Sequence, residues 1–148
     1  MNKDNPGNVL KNVVETARDG EKGFREAAEH FKSSELKTMA QRVSAERANF
    51  ARELEPELQS EGKNEKPSGT AEGSLHRAWI DIKTALGGGD HTILEWLEQG
   101  EDHAKKVYNE ALQGSLPSAA QLIVRRQYDR VVATHEQVKA LRDRNKAA

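Results

Sequence analysis

Three glutamates have the residue type and spacing that could do chemistry. Glu21 lies four residues after Ala17 and three before Phe24. Glu46 lies three after Val43 and four before Phe50, and Glu101 four after Leu97 and three before Ala104. Each therefore interrupts an apolar helical stripe near its middle, where a charge without a partner is costly. Counted from the turns expected near residues 33 and 115, they stand about 12, 13 and 14 residues away, within one helical turn of each other. Three carboxylates at one level of a helical core begin a di-metal site holding iron or manganese. Such a site takes one Glu from each of two helices and Glu-x-x-His from each of the other two. Here Asn49 stands where the first histidine is expected, and His135 is preceded by Val132 where a glutamate is needed. The candidate metal ligands are thus Glu21, Glu46 and Glu101, with Asn49 and His135 as possible additions. By the same count His135 falls level with Glu53 and near Asn49.

The alternative is that the three carboxylates reach solvent or pair with Arg18, Arg47 or Lys105, with no cofactor. If they crowd together without a metal, Glu101→Gln removes a repelling charge and is neutral or stabilising. His135 is then a hydrogen-bonded core histidine and Tyr128 a packing residue with a polar tip. His30, His91 and His103 fall on polar faces or at helix ends. No Ser-His-Asp order, phosphate-cradling glycine loop or zinc spacing occurs in the sequence.

These side chains need helices to carry them. Residues 1–7 read as a frayed start and 8–144 as one domain. From Asn8 to Lys32 the apolar positions Val9, Leu10, Val13, Val14, Ala17, Phe24, Ala28 and Phe31 recur at three- and four-residue steps. A second helix follows the candidate caps Ser33 and Ser34, with Leu36, Met39, Val43, Phe50, Leu54 and Leu58 inward and Pro56 a kink near its end. Gln59 to Ser74 is the one long linker. A short helix spans Leu75 to Leu86, and Asp90 caps the next, from His91 to Gln113. The last helix runs from Pro117 to Arg142. The reading is all-α: a ferritin-like antiparallel four-helix bundle of two hairpins, with a short fifth helix in the crossover. The crossover is taken to let the second hairpin run the same way as the first.

Composition bounds the function. The chain has 148 residues with 23 basic and 24 acidic side chains, a net charge of −1. That balance describes a mixed solvated surface and gives no basic excess for nucleic acid. Mean hydropathy is −0.87 and no apolar run approaches a membrane span. With no cysteine and no apolar leader, a reducing cytoplasmic setting is expected. Leu75, Trp79, Ile82 and Leu86 fall on one side of the short helix and would lay it on the bundle, or else Trp79 and Arg77 would anchor a homodimer or partner surface.

Four segments carry a likeness. Asp19-Gly-Glu-Lys-Gly-Phe-Arg-Glu-Ala-Ala-Glu29, Glu46-Arg-Ala-Asn-Phe-Ala-Arg-Glu-Leu54, Gly73-Ser-Leu-His-Arg-Ala-Trp-Ile-Asp-Ile-Lys83 and Leu97-Glu-Gln-Gly-Glu-Asp102, the last followed by Tyr108-Asn-Glu-Ala-Leu112, resemble the PA2169-type four-helix-bundle family, the bacterial domain of unknown function DUF2383. The resemblance runs from about Val9 to Asp143. It implies a ferritin-like bundle with no established reaction, so it supplies no catalytic residues. Two functions are expected. One is a non-enzymatic structural or interaction role, which the family context places in stress or stationary phase. The other is a metal-dependent oxidase or iron-handling protein.

Overall fold

Asn5 opens the first helix. Its side-chain oxygen accepts hydrogen bonds from the Gly7 and Asn8 amides at 2.8 and 3.2 Å, and Pro6 takes the first helical position, where its missing N–H costs nothing. Helix α1 (Pro6–His30) thus starts two residues before the expected Asn8. The computed structural model describes residues 5–63, 67–85 and 87–146. Helix α2 (Ser34–Ser60) is capped by Ser33 and continues through Pro56. Helix α3 (Ala71–Ala85) carries described side chains at 71–74, 76–78 and 80. The expected packing of Leu75, Trp79, Ile82 and Leu86, and any partner surface around Trp79, lie outside the described residues. Helices α4 (Asp90–Gln113) and α5 (Ser118–Arg144) complete the fold. All regular secondary structure among the described residues is helical.

Helix α1 packs on α2 and α4, and α5 packs on α2 and α4, so α1 faces α5 across a diagonal. The second hairpin does not run the same way as the first. The C-terminal half of α1 and the residue after it (Phe24, Phe31) share a core cluster with the N-terminal part of α4 (Leu94, Trp96), and its N-terminal half (Leu10, Val13) with the C-terminal part (Tyr108, Ala111), so these helices are antiparallel. On α2 and α5 the pairs Arg42–Gln137, Glu46–Arg130 and Glu53–Arg126 show the same. The crossover explains the reversal. It leaves α2 beside Gly7, where Lys63 lies, and reaches α4 at the opposite end, where Asp90 accepts bonds from the Lys32 and Ser33 amides at 2.9 and 3.0 Å. Asp90 was expected to cap its own helix; its carboxylate instead holds the α1–α2 turn, and the cap position is Gly89. Helix α3 lies along this path against α1 and α4.

The apolar core comes in two halves. One gathers Phe24, Phe31, Met39, Val43, Leu94, Trp96 and Val138, the other Leu10, Val13, Phe50, Leu54, Tyr108, Val124 and Val131. Between them, at the level where the glutamates were expected, sits a polar layer of buried Arg47, Glu101, Thr134 and His135.

Candidate functional site

Glu101 is buried at the heart of this layer, on the stripe the spacing assigned to it. Its partner is Arg47, also buried. Nη1 and Nη2 of the guanidinium donate to the two carboxylate oxygens at 2.8 and 2.5 Å. This fork-to-fork geometry is the strongest form of charge-assisted hydrogen bond. Burial works to lower the Arg47 pKa, and the charge and hydrogen bonds of Glu101 outweigh it, so the guanidinium is held above its ordinary value. The Phe24 ring lies 5.5 Å from the guanidinium carbon. Arg47 Nε, by contrast, is buried without a hydrogen-bond partner.

The other candidate ligands share the level but not the face. Glu21 accepts from Arg18 at 2.8 Å, and Arg18 bridges on to Glu55 of α2 at 3.0 Å. Burial pulls the Arg18 pKa down, while Glu21 and Glu55 carry it above its usual value. Glu46 turns toward α5, where Arg130 Nε donates to it at 3.2 Å, leaving its other oxygen buried and unbonded. Asn49 is exposed and accepts from Arg52. His135 is 7% exposed and donates through Nε2 to Asp102 of α4 at 2.6 Å. Because α5 runs antiparallel to α2, His135 lies toward Arg42, away from Glu53 and Asn49. The five residues are held in separate pairings. Among the described residues no group of three or more His, Asp or Glu side chains is placed to hold a metal ion.

Glu101 also borders a cavity of about 310 Å³ between α1, α3 and α4. Phe24, Trp96, Leu97 and Ala104 give it apolar walls; Asp19, Glu72, His76, Arg77, Glu101 and His103 give it charge and polarity. Three of the four family-like segments meet here.

Two clamps set α3 over this space. Asp19 of α1 accepts from the Thr70 amide at 2.9 Å, the Thr70 hydroxyl at 2.7 Å and Arg77 at 3.4 Å. Thr70 Oγ1 in turn accepts from the Gly73 amide at 2.9 Å, which is why α3 begins four residues earlier than expected. The second clamp is reciprocal. Trp96 Nε1 donates to the His76 carbonyl at 2.7 Å, and His76 Nε2 lies 3.1 Å from the Trp96 carbonyl, which can only accept; the proton is therefore on Nε2. The two rings stack with centroids 4.7 Å apart.

Glycine makes the close approaches possible. A Cβ on Gly20 would lie 2.8 Å from Arg47 Nη1, and one on Gly73 2.2 Å from the Asp19 carboxylate. Asp19, Thr70 and His76 were not singled out from the sequence. The available signal was Asp19-Gly20, two weak helix formers side by side in the middle of a long helix.

The chain belongs to the family described as Domain of unknown function (DUF2383), which matches residues 5–114. The match holds α1 to α4, and so every residue lining the cavity, and stops at the α4–α5 turn, short of Asp143. No curated protein matches the chain.

Proposed function

From a family with no assigned reaction, we propose that this chain is a ferritin-like bundle with a non-enzymatic structural or interaction role in the cytoplasm. Its polar layer is closed by an ion pair where a metalloprotein of this architecture would place its metal. The observation that carries this reading is the bidentate Arg47–Glu101 pair. Both Glu101 oxygens are taken by a buried cation, and that cation supplies the countercharge iron or manganese would otherwise supply. Glu21 and Glu46 have guanidinium partners of their own, so the donor set does not fit a carboxylate-bridged centre. Two further facts agree with the assignment. The crossover travels the length of the bundle, as the ferritin-like connectivity requires. No helix among the described residues is long and apolar enough to cross a membrane.

Elemental analysis of protein expressed in iron- and manganese-supplemented medium tests the proposal. The expected result is substoichiometric metal in both the native chain and Glu101→Gln. Stoichiometric iron or manganese in the native chain, lost in Glu101→Gln, would establish the oxidase or iron-handling alternative instead.

A further inference from the structure

Glycine in a helix interior costs about 0.5–1 kcal/mol against alanine, so it needs a reason. Four glycines line the cavity between α1, α3 and α4. Gly20 and Gly73 have a packing reason, since Arg47 and Asp19 occupy the space of their missing side chains. Gly23 and Gly100 have none among the described residues. A Cβ on Gly23 would come no nearer than 3.8 Å to Trp96, and one on Gly100 no nearer than 3.8 Å to His76, both ordinary contacts. Alanine would fit at either position and favour the helix. What it would take away is cavity volume, at two points of the same lining.

The chemistry of the lining indicates what that volume is for. The walls include two aromatic side chains, Phe24 and Trp96, and the aliphatic Leu97. Among the described residues three carboxylates face it, Asp19, Glu72 and Glu101, against one arginine, Arg77. Arg77 is engaged by Asp19, and Glu101 is neutralised by Arg47. Glu72, exposed on the first turn of α3, makes no ion pair among the described residues. A cavity of about 310 Å³ is at the small end of ligand sites, enough for one or two rings.

We propose that this cavity is a binding site for a small organic amine, whose apolar ring system packs between Gly23 and Gly100 and whose ammonium group pairs with Glu72. Asp19 and His76 are positioning residues that hold α3 over the site. The proposal stands apart from the ion-pair reading of the polar layer and survives either outcome of the metal analysis.

The test uses the full chain, isotopically labelled, with two probes of one ring system and opposite charge: tryptamine and indole-3-propionate. Glycine amides report on the site directly. Tryptamine at about 1 mM, the weak end of specific affinity, should move the Gly23, Gly73 and Gly100 resonances and leave Gly7 and Gly114 in place. Indole-3-propionate should bind at least about ten-fold more weakly, a difference of roughly 1.4 kcal/mol. Gly23→Ala/Gly100→Ala should melt higher than the native chain and lose tryptamine binding. Glu72→Gln, an exposed change that leaves packing alone, should weaken tryptamine several-fold and indole-3-propionate not at all. Absence of tryptamine shifts, equal affinity for the anion, or undiminished binding to the double alanine variant would each overturn the proposal.

Discussion

Arg47 and Glu101 are 54 residues apart in sequence and meet through two hydrogen bonds in the middle of the bundle, their side chains 1% and 2% exposed. Neither charge has water to fall back on. A buried pair of this kind gains little over an apolar pair of the same volume, because desolvation consumes most of the attraction. Breaking it from one side is another matter, since the remaining charge keeps its desolvation penalty and loses its partner.

Glu101→Gln should therefore destabilise the protein, by about 3–5 kcal/mol. This reverses the sign expected when the three carboxylates are taken to crowd one another, because the nearest charge to Glu101 is a cation. Arg47→Met should cost a similar amount. The double change Arg47→Met/Glu101→Leu should come back to within about 1–2 kcal/mol of the native chain, or exceed it, since Arg47 Nε is unbonded even in the native fold. Urea denaturation of the native chain, Arg47→Met, Glu101→Leu and the double variant closes the cycle. Additive losses in the double variant would mean that the two residues do not act as a pair.

Gly20→Ala should also destabilise, despite alanine's better helix propensity, because its methyl group would stand 2.8 Å from Arg47 Nη1. A cost of about 1–3 kcal/mol is expected from overpacking. In an Arg47→Met background the obstruction is gone and the same change should become neutral or stabilising. Thermal melts of the two pairs of proteins show whether the sign changes with the residue at 47.

How much of this was legible beforehand can be read from Glu46 and Arg47. The α2 stripe passes from Val43 to Phe50, and steps of three then four select residue 46, whereas four then three select 47; periodicity alone does not choose. Glu46 interrupts the stripe by the first count, and its height matches that of the other two carboxylates. The fold instead buries Arg47, whose charge is tolerable only because Glu101 waits on another helix. The level was right for a symmetrical reason. Glu101 is near the middle of α4, so counting from either end gives the same level, whichever way the hairpin runs. His135 lies four residues past the middle of α5, so counting from the wrong end displaces it by about twice that, toward the level of Glu53. The helices themselves were readable because apolar periodicity is local. Asp90 and Asp19 were not, because each serves a backbone or side chain on a distant segment, and nothing in the neighbouring sequence marks such a partner.

Asp19 is the natural point at which to release α3. Asp19→Ala removes the acceptor for the Thr70 amide, the Thr70 hydroxyl and Arg77 in one step. Gly73→Ala should do the same with the carboxylate still present, by pushing it away. In either variant, hydrogen exchange over 71–85 should speed up by about ten-fold or more, while α1, α2, α4 and α5 keep most of their protection. Limited proteolysis should cut first between Gly62 and Gly73, and faster than in the native chain. Uniformly faster exchange across all five helices would mean that Asp19 supports the whole bundle and not the crossover alone.

Tyr108 gives the polar layer a pH signature. Its hydroxyl donates to Gln127 Oε1 at 2.8 Å, and Gln127 Nε2 donates to the Phe50 carbonyl at 3.1 Å and to Glu53 at 3.2 Å. Burial, with Glu101 and Glu53 adding to it and Arg47 opposing, holds the phenol far above the ordinary tyrosine pKa of 10. A group whose pKa is raised on folding contributes fully below its unfolded value and loses that contribution as pH climbs from there towards the folded value. Below about pH 10 the phenol is protonated in both states and Tyr108 stabilises in full. Above it the unfolded chain sheds the proton while the folded chain keeps it, at a cost of about 1.4 kcal/mol per pH unit. Tyr108→Phe should lose about 1 kcal/mol at pH 7 with its hydrogen bond, yet lack this alkaline penalty. The difference in unfolding free energy between the two proteins should shrink from pH 10 upward and change sign by about pH 11, with lysine titration cancelling in the comparison. Curves that stay parallel to pH 12 would mean that the Tyr108 hydroxyl ionises as freely in the fold as in the unfolded chain.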